Sequence, residues 1–162
     1  MGLREEFINN VAREVENNSI YIWGGQGEKA EELTIKKIEK MEDSATNAER
    51  VVKHIASIYP NTNLSRAFDC SGLLTYHLMK LGIIGNDTTA NGLLKRCKQI
   101  AKKDLRPGDF VFKMSKDKAV HVAMFYKEDS TLVECVGRDD GVKFTELTSK
   151  FTKFGRLPQF EY

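Results

Sequence analysis

The chain has 162 residues, 41% hydrophobic and 30% charged, which fits one domain, residues 1–162, whose core needs no disulfide staples. Its 25 basic and 23 acidic residues leave a formal net charge of +2, too small to draw nucleic acid, and no basic run with interleaved aromatics appears. Three cysteines without a CxxC pair, and three scattered histidines without HExxH, exclude a disulfide framework and a zinc ribbon and leave no expected metal site.

The first residues, Met1 to Phe7, lack the apolar stretch of a signal peptide, and no run approaches membrane-span length. The expectation is synthesis in the cytoplasm with no membrane insertion, so that action elsewhere needs another exit route. Residues 3–16 put Leu3, Phe7, Ile8, Val11 and Val15 at helical spacing and predict an amphipathic helix ending at Asn17-Asn18. The short apolar run Ile20-Tyr21-Ile22-Trp23 follows, halted by Gly24 and Gly25.

Residues 28–63 change in texture, rich in Glu and Lys and poor in Gly. They predict a solvated helical hairpin. Its first helix carries Ala30, Thr34, Ile38 and Met41, and its second opens on the capping-box pattern Thr46-Asn47-Ala48-Glu49. Pro60 to Asn63 end it. Next comes Phe68-Asp69-Cys70-Ser71-Gly72-Leu73, then a helix over 71–81 that Gly82 stops, with Leu73, Leu74, Leu78 and Leu81 available for burial. A further helix is predicted over 90–100. Beyond the turn Leu105-Arg106-Pro107-Gly108-Asp109 the pattern becomes strand-like at 110–112, 120–126, 131–136, 142–147 and 154–162. Helices first and a meander of antiparallel strands after them make an α+β fold.

Cys70 sits where a loop becomes a helix, and the unpaired amides of a helix N-terminus favour a thiolate. The bland alternative is a small core residue, the common fate of a free cysteine. Asp69 and Ser71 are capping residue types and Gly72 admits a close neighbour, which favours the reactive reading. A thiolate doing acyl transfer needs a base. His77 lies seven residues along the helix, roughly 10 Å at ~1.5 Å per residue, which excludes it and leaves it a boundary residue. His54 reads as a surface residue on the hairpin. His121 heads a strand directly after a polar loop and is the candidate base.

If residues 127–130 form a hairpin loop, Tyr126 faces Thr131, Phe125 faces Leu132, Met124 faces Val133, and His121, Ala123, Leu132, Glu134 and Val136 share one sheet face. Glu134 then lies diagonally from His121, about 7–8 Å between backbones, within reach of its side chain. The alternative is a solvent-facing Glu134 on an edge strand. Cys135 points to the other face as core, and Cys97 reads as helix packing.

These residues carry a resemblance. The Phe68–Leu73 stretch, Leu105 to Phe112 and His121-Val122-Ala123-Met124-Phe125, in that order, closely resemble the NlpC-type cell-wall cysteine peptidases, and Tyr21-Ile22-Trp23-Gly24-Gly25 is similar to the aromatic Gly-Gly segment of that family. The resemblance implies a compact papain-like fold, Cys70 as nucleophile and His121 as base. It implies no cofactor and, as partner, the peptidoglycan stem peptide. The family's third residue is usually His, Asn or Gln, so Glu134 is a departure, though a carboxylate still accepts the ring N–H. Tyr21, Trp23, Asp69 and Ser71 become substrate-binding candidates by position. The 28–63 hairpin is the larger departure, since it separates two site-forming segments.

The function implied is a peptidoglycan hydrolase, with the bond between D-γ-glutamate and the diamino acid favoured and a phage-type lysin attractive. An N-acetylmuramoyl-L-alanine amidase or acyltransferase using the same dyad, and a non-catalytic wall-binding protein, stay open.

Overall fold

The computed structural model describes residues 2–160. Helix α1 (Leu3–Glu16) is followed by strands β1 (Ile20–Tyr21) and β2 (Gln26–Lys29), helices α2 (Ile35–Met41) and α3 (Ala45–Ile58), and strand β3 (Arg66–Phe68). Helices α4 (Cys70–Lys80) and α5 (Ala90–Arg96) come next. The strands that follow are β4 (Lys98–Gln99), β5 (Phe110–Ser115), β6 (Lys118–Lys127), β7 (Thr131–Cys135), β8 (Val142–Glu146) and β9 (Lys153–Arg156).

The α+β expectation holds. The larger sheet has the order β4-β9-β5-β6-β7-β8 and is antiparallel throughout. Alternation along its strands buries Phe110, Phe112, Val122, Met124 and Val133 against Phe7 and Val11 of α1 and Leu73, Leu74 and Leu78 of α4. Each such side chain contributes about 1.5–3 kcal/mol when fully buried. That burial fixes the axis of α4 and hence the place of its first residue, Cys70.

The last strand is not the outer end of a meander. β9 returns between β4 and β5, pairing Gly155 with Phe110. The reason is Asp109 of the Pro-Gly-Asp turn. Its buried carboxylate accepts from Arg156 Nε (2.9 Å) and Nη2 (2.8 Å) and from the Arg106 amide (2.8 Å). The expected strand over 154–162 is thus observed at 153–156, and residues 161–162 lie outside the described residues.

A second, three-stranded sheet, β1-β3-β2, was not foreseen. Its Ile20 and Ala67 share a separate core with Ile38, Ala48 and Val51 of the insertion. Here the expected first helix is corrected. Residues 26–29 are strand because they pair with β3, and the Ala30 amide continues that pairing by donating to Ser65 O (2.9 Å). A single 3-10 turn spans Ala30–Glu32, and the α-helix begins only after Thr34, whose hydroxyl accepts from the Lys37 amide (3.2 Å). The second helix is capped two residues earlier than expected, by Ser44 accepting from the Asn47 amide (3.1 Å). Helix α5 stops at Arg96 because Lys98 and Gln99 pair with β9.

Candidate active site

The glycines on either side of the insertion form one contact. The Asp69 amide donates to Gly25 O (3.0 Å), and a Cβ on Gly72 would overlap that same oxygen. A Cβ on Gly25 would come within 2.7 Å of Ile22 Cγ2 and 2.8 Å of Phe68 Cα. The Gly-Gly segment therefore lies directly on the first turn of α4 because both partners lack side chains. Asp69 caps that turn, its Oδ1 accepting from the Gly72 amide (2.6 Å) and from the Ser71 hydroxyl (3.2 Å). The amides of Cys70 and Ser71 open the helix, where no intrahelical carbonyl is in register to receive them. Cys70 itself is partly exposed.

His121 approaches from β6. Its backbone pairs with Lys113, while the next pair is Met114 with Ala119, so Val120 is an extra residue in the strand. This bulge turns Ala119 into the helix-side core, while alternation keeps His121 in line with Ala123 on the opposite face. His121 Nε2 lies 2.8 Å from Glu134 Oε1, and the imidazole is close enough to Cys70 for the two side chains to interact. With Nε2 on the carboxylate, Nδ1 is the ring nitrogen left for the thiol. Burial alone would lower the imidazole, but its interactions with Cys70 and Glu134 and their charges raise it from 6.5 to about 9.

Glu134 is buried on β7, an interior strand with β6 and β8 on either side, and not on an edge. Its other oxygen accepts from the Thr145 hydroxyl of β8. Burial pushes its carboxyl up, but the bonds from His121 and Thr145 and the charge of Lys113 outweigh that and hold it below 4.5. The expected hairpin register is right at Phe125–Leu132 and Met124–Val133, but Thr131 pairs with Lys127, not Tyr126. Ser130 takes a positive φ of 71°, which closes a three-residue loop and bulges β6 at Tyr126.

Of the other expected site residues, Tyr21 is half-buried beside Cys70. Burial, and next the charge at Cys70, push its hydroxyl well above its usual range, with Arg138 offsetting part of the rise. Trp23 is 54% exposed. Asp69 and Ser71 spend their polar atoms chiefly on each other and on the cap, and burial raises the Asp69 carboxyl. Among the cysteines, Cys135 is in the core, and Cys97, the residue closing α5, packs on Gly155.

Two histidine readings are corrected. His77 is no boundary residue: it is buried, with Nε2 2.7 Å from Glu14 Oε2 of α1. His54 is half-buried against the 137–141 loop, close to Gly141. Thr145, Phe151 and Lys113 were missed. The Phe151 ring is centred 6.1 Å from that of His121, and Lys113 Nζ lies 5.0 Å from the Phe151 centroid. Their positions follow from strand pairings that only the folded sheet displays, although the lone Lys113 in an apolar strand was a visible signal.

A family model described as the NlpC/P60 family matches residues 18–155. Solved structures agree in fold. The P60 domain of antigen MAP1204 from M. avium subspecies paratuberculosis has a TM-score of 0.58 at 18% identity, covering 97% of this chain and 98% of that one. The peptidoglycan hydrolase RipB from Mycobacterium tuberculosis has a TM-score of 0.63 at 15% identity, covering 97% and 67%. RipD from the same organism is described as a non-catalytic NlpC/p60 domain protein adapted to peptidoglycan binding. It has a TM-score of 0.58 at 18% identity, covering 93% and 96%. No curated protein matches the sequence.

Proposed function

This chain belongs to the NlpC/P60 family, and from that premise we propose that it is a peptidoglycan hydrolase using Cys70 to cleave an amide bond of the stem peptide. The favoured bond joins D-γ-glutamate to the diamino acid. The observation that carries the reading is the single imidazole of His121 shared between Cys70 and the buried Glu134.

The chemistry follows from that arrangement. An imidazole raised to about 9 is protonated at neutral pH, and its charge favours the thiolate as the attacking form of a neighbouring thiol. The sulfur attacks the amide carbonyl carbon, and the oxyanion that forms is received by the Cys70 amide at the start of α4. The C–N bond then breaks as His121 gives its proton to the departing amine, leaving a thioester. Neutral His121 next takes a proton from water, whose oxygen attacks the thioester carbonyl. The C–S bond breaks, releasing the acid and restoring the thiolate–imidazolium pair. Glu134 holds the ring in one orientation throughout and stabilises its charge, and Thr145 fixes Glu134.

RipD is a reminder that the fold also serves binding without catalysis. The cysteine, histidine and carboxylate together in this chain favour the hydrolase. Purified walls of differing diamino acid, digested and analysed by mass, test it. Release of a free amine on the diamino acid supports the endopeptidase, and a freed lactyl carboxyl on muramic acid makes the enzyme an amidase. Intact walls in every case leave a binding protein.

A further inference from the structure

The insertion meets the site-forming segments at a buried side chain. Glu42 closes α2, its amide donating to Ile38 O (3.0 Å), and its carboxylate is wholly buried, with 0% of the side chain exposed. A buried carboxylate is costly unless it is paired with a cation and hydrogen-bonded. Glu42 meets that condition with groups from two other segments. Oε2 accepts from the Trp23 amide (3.0 Å), within the aromatic Gly-Gly segment. Oε1 accepts from Arg138 Nε (2.9 Å) and Nη2 (2.8 Å), in the loop between β7 and β8.

Arg138, held on one edge by Glu42, lies over the Tyr21 ring with Cζ 5.1 Å from its centroid, a cation–π distance. A second tie joins the same helices to the same loop, Arg50 Nη2 to Asp139 Oδ2 at 2.8 Å, but both its side chains are largely exposed. The loop is further tightened by Gly141 donating to Gly137 O (2.8 Å).

We propose that Glu42 is a positioning residue: by clamping Arg138 over Tyr21 and holding the Trp23 amide, it makes the inserted hairpin part of the wall that holds the substrate beside Cys70. This rests on the peptidoglycan reading above. Without Glu42 the guanidinium loses its fixed edge and the Tyr21 ring its cover. A displacement of about 1 Å at such a site costs roughly a hundredfold in the reaction it positions.

The test separates binding from hydrolysis. In a Cys70→Ala background, soluble muropeptides from one diaminopimelate-type and one lysine-type wall are titrated calorimetrically. Glu42→Gln and Arg138→Gln are each expected to weaken binding about tenfold, and the double variant no further, because both remove one clamp. Arg50→Ala, which breaks the tie to Asp139 and leaves Glu42 and Arg138 in place, stays within twofold of the parent. Trp23 is the only tryptophan, so acrylamide quenching of its fluorescence should rise with Glu42→Gln and not with Arg50→Ala. If Glu42→Gln does not fold, Arg138→Lys, which keeps the charge but not the fork, carries the same expectation.

Unchanged binding and quenching in folded Glu42 or Arg138 variants overturns the clamp while leaving the hydrolase reading intact. Binding that depends on Glu42 in a protein that hydrolyses no wall keeps the clamp and overturns the hydrolase. No binding by the parent overturns both.

Discussion

His121 Nε2 and Glu134 Oε1 stand 2.8 Å apart across neighbouring strands, and the carboxylate is buried and fixed on its far side by Thr145. Burial lowers the imidazole, but Cys70 and then Glu134 outweigh it and make the ring harder to deprotonate, raising it to about 9. The stabilisation this supplies is complete below the ordinary value of 6.5 and is lost as pH rises through about 9.

Activity should follow the same limb. kcat/KM for a muropeptide is expected to fall as pH rises through about 9, where the imidazolium is lost. Glu134→Gln keeps an acceptor but removes the charge, so the limb moves to lower pH and kcat drops about tenfold. That is well short of the ~10²–10⁴-fold expected for His121→Ala, which removes the acid–base group itself. An unshifted limb in Glu134→Gln contradicts the role given to the carboxylate.

The buried pair of His77 and Glu14 makes a prediction of a different kind. It joins α4 to α1, and Glu14 also accepts from the Ser19 hydroxyl (2.8 Å) and the Asn17 amide group (3.1 Å). Removing His77 strands a buried carboxylate, so His77→Ala is expected to cost about 3–5 kcal/mol in urea unfolding at pH 7. Wild-type stability in this variant would contradict the account.

The same pair sets an acid limit. Burial pushes the Glu14 carboxyl up, but the His77, Ser19 and Asn17 bonds prevail and hold it below 4.5. Its stability share is present above 4.5 and lost as pH falls through the lowered value. Glu14→Gln should therefore lie nearest the wild type in stability at low pH and fall furthest behind at neutral pH, measured as thermal midpoint against pH.

Gly72→Ala tests the close approach that shapes the turn carrying Cys70. Its Cβ would overlap Gly25 O, backbone that the neighbouring segments hold in place. Overpacking of this sort costs about 1–3 kcal/mol. The thermal midpoint is expected to fall, and Cys70 alkylation to slow as the first turn of α4 shifts. A variant with the wild-type midpoint and alkylation rate would show that the contact is dispensable.

Local chemistry was readable where short-range rules governed it. The periodicity of residues 3–16 marks α1 to the residue, Gly82 with φ 70° ends α4, and alternation brings Glu134 within reach of His121. Pairings over long separations were not readable. β1 and β3 are two- and three-residue strands whose partners lie across the insertion, and nothing within so few residues marks them as strands. The return of β9 depends on Arg156 finding a buried Asp109, and the clamp on Glu42 finding Arg138, both far apart in the chain. The charges of the insertion looked solvated as a group because pattern alone cannot tell which carboxylate among many is buried.

The central claim is that the Cys70 sulfur forms the acyl intermediate, and the most direct measurement is mass analysis of acid-quenched protein during digestion of a purified muropeptide. The account predicts a transient mass increase equal to the acyl fragment, located on the peptide containing Cys70 and absent in Cys70→Ala, which also releases no product. Equal product release by wild type and Cys70→Ala would contradict it.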